Sequence, residues 1–417
     1  MLRILMLWLA GLGAAAQFAK IGLVLPELGL LYPNAGSLLG FLVSFVSLIG
    51  ALFGLCAGAI AAQLSLQRLL MAGLLLGALV SLVQSLQVPL WLMLLTRVLE
   101  GCSHLAIVIT APTLISTISP KRWRSAAMTL WSTFFGVSYA LTAWLGLPLV
   151  QSHGVSALFL AHGLFLILVA ISLAFIMTEA LPGVGEVEAG IGTDTDTEAD
   201  VDVDVDVDVD VDANSDIETS VDLTFSQILA EHRRAWTSPR ISAPAAGWLF
   251  YTLTFVALLA VIPGIVEPDQ RSFVSSALPI ASILASVSLG VVLLSFVSAV
   301  HVVCIGFLIA ILVSVAYIAQ PGEPLLAIAL FASLGLVQGA TFASLPQLNP
   351  NRGDQVLANG ALAQAGNLGN LCGTPLLLFV LAVGGFNVMI VFVVLCYALA
   401  VFAHLFLAGK RRTAQIH

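Results

Sequence analysis

Residues Leu90–Arg124 read LWLMLLTRVLEGCSHLAIVITAPTLISTISPKRWR, an apolar run of membrane-spanning length with charges inside it and a basic cluster just past its end. At helical spacing Arg97, Glu100, Gly101 and His104 stand at i, i+3, i+4 and i+7 and share one face. An ionised group at that depth costs at least ~2.5–3.5 kcal/mol on insertion scales, so this face turns toward a partner helix or a wet cavity and away from lipid. It is the first place to look for function.

The rest of the chain shares the composition of this stretch. Of 417 residues, 59% are hydrophobic and 9% charged, with a mean hydropathy of +1.06; soluble domains carry roughly 25% charged residues. This is the composition of an all-α membrane protein. At about 20 apolar residues per crossing, the sequence predicts helices over 4–31, 37–62, 67–87, 90–118, 123–150 and 154–178, then 242–266, 272–296, 298–319, 323–347, 355–383 and 385–408. These make twelve transmembrane helices in two six-helix bundles. No clear turn separates the eighth run from the ninth near Ala299. The opening MLRILMLWLAGLGAAAQ has the layout of a signal peptide, but the apolar run resumes after Gln17 and cleavage would discard half of the first span.

Four segments follow: a bundle over 1–178, an acidic low-complexity linker over 179–241, a second bundle over 242–409 and a basic tail over 410–417. The formal charge of −8 belongs to the linker, because 17 of the 23 acidic residues lie between Glu179 and Glu231. Its Val/Asp alternation imitates a strand, but it carries too little apolar surface to offset the entropy of ordering and is expected to be solvated. The following DLTFSQILAEHRRAW has the pattern of a short interfacial helix with a basic end. With the N-terminus inside, 12 of the 15 Lys and Arg residues fall on that side, Arg271 falls on the other, and Lys20 and Arg97 lie within spans. The bias places both termini in the cytoplasm and the protein in the inner (cytoplasmic) membrane. The five cysteines are scattered singly, with no C-x-x-C or Cys/His spacing, so neither a disulfide framework nor a metal site is expected. No P-loop, HExxH or other cofactor motif is present, and nothing points to nucleic acid.

The halves look like weak repeats. LVLPEL around Pro26 answers AVIPGIV around Pro263, and Glu100-Gly101 answers Gln338-Gly339, each followed by a proline, Pro112 and Pro346. Six plus six helices around a long linker resemble the major facilitator superfamily, and local residues agree. Arg97-Val98-Leu99-Glu100-Gly101 resembles the family's R-x-x-Q-G with Glu in place of Gln, and Pro120-Lys121-Arg122-Trp123-Arg124 resembles the basic turn after it. NGALAQAGNLGNLCGTP, from Asn359 to Pro375, looks like the family's Gly- and Asn-rich eleventh helix. Two departures stand out. In the loop between helices 2 and 3, Gly58 is kept but Ala62, Gln63 and Ser65 replace the usual Asp, Arg and Gly; the fifth-helix G-x-x-x-G-P of drug antiporters survives only as Gly136 followed by Ala140.

The resemblance implies that helices 1, 4, 7 and 10 line a central cavity. Helix 1 carries Gln17, Lys20, Val24 and Glu27 at helical spacing, and Lys20 and Arg97 fall at similar depth, with Glu100 one turn from Arg97. Two cations there would leave the first half net positive unless Glu27 reaches down to pair. Lys20 and Arg97 are therefore candidates to attract an anionic group, Glu100 to exchange a proton, and His104 to assist it or simply to pack. The rival reading is a buried network that ties helices together. In the second half Trp248, Tyr251, Thr252, Gln338 and Thr341 could grip the uncharged part of a solute, and Gln364, Asn367 and Asn370 form a polar stripe that could equally bond across a tight helix pair. The expected function is a secondary transporter working by alternating access, coupled to protons and taking up a small organic anion. Export of amphipathic drugs or metabolites is the alternative, and a membrane receptor or docking protein is a more distant one. The expected partners are the small-molecule substrate, a proton or other coupling ion, and the lipid bilayer.

Overall fold

The computed structural model describes residues 1–54, 65–120, 123, 127–128, 130–131, 133–177 and 225–416, without the side chains at 225–229, 352 and 414–416. The described residues are helical throughout apart from short turns, with ten helices long and apolar enough to cross a membrane. In chain order, α1 is Leu2–Gly22, continued after a break by Leu25–Leu31, and α2 is Leu38–Ser44 followed by Val46–Phe53. Next come α3 (Leu66–Gln84), α4 (Leu90–Ile118), α5 (Phe134–His153) and α6 (Val155–Ile176). A linker helix, Phe225–Thr237, precedes α7 (Ser242–Gly264), α8 (Arg271–Leu294), α9 (Ala299–Ala319) and α10 (Pro324–Leu348). The last helical stretch, Arg352–Ile416, folds back at Gly385 (φ 71°) into α11 (352–384) and α12 (386–416).

Local chemistry explains these boundaries. Gly385 adopts a left-handed backbone that a β-carbon disfavours, so a continuous apolar run becomes two helices there. Gly154 (φ 80°) does the same between α5 and α6. The division between α8 and α9, which hydropathy does not show, rests on Ser298: its backbone is extended, its hydroxyl lies 2.7 Å from His301 Nδ1, and Gln347 Oε1 accepts the first amide of α9 from Ala299 at 2.9 Å. The predicted end of the second helix near 62, the loop around Ala62 and Gln63, Lys121, Arg122, Arg124 and the Val/Asp tract lie outside the described residues. From 410 onward the chain continues α12 as far as Ile416.

The two members of the first repeat match, around Pro26 and Pro263, mark breaks, whereas Glu100-Gly101 and Gln338-Gly339 lie inside continuous helices. α1 stops at Gly22 and restarts at Leu25 with Pro26 in its first turn, and α7 ends in a 3-10 turn, Ile262–Gly264, built around Pro263. Proline has no amide to continue the ladder, so the two helices open at corresponding places. They also meet there, where a methyl at Gly22 would lie 3.5 Å from Ala260 Cβ. In the best apolar window of each helix, 72% of α1 and of α7 is buried, 56% of α10 and 39% of α4. Three of the four helices expected at the centre are thus the most enclosed, whereas α4 keeps much of one side exposed.

The two halves join along two further seams. On α2, a methyl at Gly40 would sit 2.5 Å from Pro375 Cα of α11, and one at Gly54 would sit 3.2 Å from the Gln364 amide. On α5, Gly136 faces Ile283 and the Pro279 carbonyl of α8. At the end of α1, Glu27 takes a two-pronged ion pair from Arg271 at 2.8 and 3.1 Å, and Arg271 Nη2 also donates to the Leu23 carbonyl at 2.6 Å.

Candidate functional site

The charged helix α4 sits at the heart of the first half. Arg97 and Glu100 project from α4 toward Lys20 of α1, and all three side chains are 0% exposed. Glu100 Oε1 accepts from Lys20 Nζ at 2.5 Å, while its Oε2 accepts from Arg97 Nη1 and, at 2.9 Å, from Gln84 Nε2 of α3. Lys20 Nζ further donates to Ser81 Oγ (2.7 Å) and Gln84 Oε1 (2.8 Å) and lies 3.2 Å from His162 Nδ1 of α6. Arg97 is also tethered to the backbone, its Nε donating to the Leu42 carbonyl at 2.5 Å and its Nη2 to the Gln17 carbonyl at 2.7 Å. Five helices of the first half therefore converge on this cluster, three of them, α1, α3 and α4, directly on the Glu100 carboxylate.

The charge balance of this cluster is its main chemical feature. Two cations share one anion, leaving one positive charge in excess where burial of any ion is expensive. His162 adds no anion to the balance: its Nε2 lies 2.9 Å from the Gly13 carbonyl, which fixes that nitrogen as the donor and leaves Nδ1 to accept from Lys20 or from Ser81 at 2.9 Å. Glu27 does not supply the missing anion. The break after Gly22 destroys the helical phase that relates it to Lys20, and it pairs with Arg271 of the second half instead.

The other predicted residues separate into three places. Gln17 joins the cluster's edge, its Nε2 donating to Ser103 Oγ at 2.8 Å, and His104 turns to α1, where its Nδ1 lies 3.0 Å from the Ala14 carbonyl and its ring meets Phe18 edge-on. Trp248, Tyr251 and Gln338 form a second group: Trp248 stacks on Tyr251 with centroids 4.4 Å apart, and the Tyr251 hydroxyl donates to Gln338 Oε1 at 3.1 Å. Phe255, Phe331 and Phe342 extend the stack at 4.9 to 5.3 Å. Thr252 and Thr341 spend their hydroxyls on their own helices. The stripe on α11 lies in the seam between halves, where Gln364 Nε2 donates to the Ala51 carbonyl at 3.4 Å and Asn367 packs on Gly50 while its Nδ2 donates to the Ala363 carbonyl one turn earlier. Its neighbours Gly366, Gly369 and Gly373 face α7, so the Gly-rich pattern serves close helix packing.

His162, Ser81 and Gln84 were not singled out by sequence. His162 carried a usable signal, since a titratable ring within a 22-residue apolar helix needs a partner for the same reason Arg97 does.

The description Major Facilitator Superfamily matches residues 7–354. The chain belongs to the major facilitator superfamily. A bacterial homologue of the human lysosomal transporter Spinster, solved in an inward-facing and occupied conformation, superimposes with a TM-score of 0.70 at 14% identity, covering 98% of this chain and 96% of that one. The likeness is one of fold. No curated protein matches the sequence significantly. With this membership the chain is a multi-pass membrane transporter, and the charged cluster lies in the first half of a transporter fold.

Proposed function

We propose that the protein takes up a small organic anion together with a proton, with Lys20, Arg97 and Glu100 as the coupling group. The observation that carries this reading is the sharing of one enclosed carboxylate by two cations. A solute carboxylate that reaches Arg97 replaces Glu100 as its acceptor and frees Glu100 to take a proton. The cluster's net charge is then the same before and after, so anion and proton enter as a neutral pair. The tethers from Arg97 to the Leu42 and Gln17 carbonyls hold the guanidinium in place during the exchange. His162 and Gln84 keep Lys20 solvated by protein while Glu100 is protonated. The aromatic group at Trp248, Tyr251 and Phe255, with Gln338 as its polar end, receives the uncharged part of the solute.

The same aromatic stack favours a second reading, export of amphipathic solutes, in which the second half does the recognising and the cluster only couples. A thermal-shift panel in detergent separates the two by comparing small carboxylates, sugars and lipophilic cations. A ligand at 100 times its Kd stabilises the native state by about 2.7 kcal/mol. The uptake reading requires stabilisation by a carboxylate that is lost in Arg97→Gln and weakened in Arg97→Lys, which keeps the charge but not the fork. Stabilisation by lipophilic cations, equal in both variants, overturns it in favour of export.

A further inference from the structure

The linker helix Phe225–Thr237 is docked rather than loose. Ala235 is fully buried with Ile241, Leu345 and Ala361, Arg234 pairs with Asp354 at the start of α11, and Trp236 Nε1 donates to Gln364 Oε1 at 3.2 Å. Because Gln364 also donates to the Ala51 carbonyl, a single carboxamide links the linker helix, α11 and α2 of the other half. Beneath the helix runs a groove of about 360 Å³ lined by Ala51, His232, Trp236, Gln364, Ala365 and Leu368, almost wholly apolar.

The groove's position on α11 bears on what could fill it. Leu368, Leu376, Phe379 and Val383 recur on one side of α11 and are 40 to 75% exposed, the pattern of a helix face turned to lipid. The groove is the continuation of that face at the end near the C-terminus, where Arg411 reaches the Pro239 carbonyl. On the linker-helix side His232 lines it, and the next residue, Arg233, is exposed and makes no ion pair among the described residues, whereas Arg234 is spent on Asp354 and Glu231. We propose that this groove binds one anionic phospholipid of the leaflet on the side of the C-terminus. An acyl chain lies along Leu368 and Leu376, and the phosphate meets Arg233 and His232. Apolar burial supplies the affinity and the cation supplies the preference for an anionic headgroup. The bound lipid braces the Trp236–Gln364–Ala51 contact and so holds α2 against α11 on that side.

The test uses the full-length protein in detergent, titrated with dioleoyl-phosphatidylglycerol or dioleoyl-phosphatidylcholine and read by native mass spectrometry and thermal shift. The wild type is expected to bind one phosphatidylglycerol about fivefold more tightly than phosphatidylcholine, the effect of one basic contact near the surface. Arg233→Gln removes the preference and Arg233→Lys retains it. Leu368→Trp, which fills an already exposed position, weakens both lipids, and Arg412→Gln on the neighbouring helix end changes neither. Equal affinity for the two lipids in the wild type, a preference that survives Arg233→Gln, or one abolished equally by Arg412→Gln would overturn the site.

Discussion

α4 and α10 stand at corresponding places in the two halves, yet α4 buries Arg97 and Glu100 where α10 carries Gly335 and Gln338. The first half closes on an ion cluster fed by five helices; the second closes on an aromatic stack with a single hydroxyl-to-carboxamide bond. One backbone plan therefore carries two kinds of chemistry. Charge is concentrated where a proton and an anion could be exchanged, and polarizable apolar surface where the remainder of a solute could rest. The difference also sorts the consequences of mutation, because unpairing a buried ion costs far more than trimming a neutral hydrogen bond.

Glu100→Gln is expected to have the largest effect, since it leaves Lys20 and Arg97 as two enclosed cations without an anion. A loss of about 3–5 kcal/mol is anticipated, measurable as a lowered thermal midpoint in detergent, and the double variant Lys20→Met with Glu100→Gln should recover part of it. A midpoint unchanged in the single variant would mean the ion cluster is not what holds the first half together. Next comes the seam both halves share. Gly40→Leu drives a side chain into the Pro375 backbone and should cost about 1–3 kcal/mol by overpacking; a neutral result would show that α2 and α11 stand further apart than described. Smaller still is Tyr251→Phe, which removes the bond to Gln338 but keeps the stack on Trp248 and should cost about 1 kcal/mol. A loss as large as that of Glu100→Gln would erase the contrast between the halves. Arg271→Gln should change stability least, by about 0–1 kcal/mol, because its pair with Glu27 is partly exposed. Its effect should be positional instead, raising the labelling rate of a cysteine placed at Gly264, where the two halves touch.

Charge inside apolar runs made the first half legible from sequence. Arg97, Glu100 and Lys20 could be matched in depth by counting residues, and the structure joins them through one carboxylate. Glu27 shows where such counting fails: helical phase carries information only while the helix is continuous, and two residues of turn after Gly22 send Glu27 to Arg271. Neutral polar residues were harder still. Ser81 and Gln84 look like any Ser and Gln of a membrane helix until the ion they serve is in view, and His162 stands alone in α6. Membrane crossings were read from hydropathy, but their ends depended on single residues such as Ser298 and Gly385, which a sliding window averages away. In the second half the aromatic positions were visible as residue types, while their stacking order, from Trp248 through Tyr251 to Phe255, follows from one helix face meeting α10.

In the proposed cycle Glu100 trades its cations for a proton when an anion binds. Proteoliposomes loaded with a pH-sensitive dye measure that trade, with small carboxylates added outside one at a time and wild type and Glu100→Gln compared at equal reconstitution. At least one carboxylate is expected to acidify the wild-type lumen, and the variant, still able to exchange that carboxylate across the membrane, to leave the lumen pH unchanged. Acidification by Glu100→Gln at the wild-type rate would contradict the trade and reduce the cluster to a structural tie between helices.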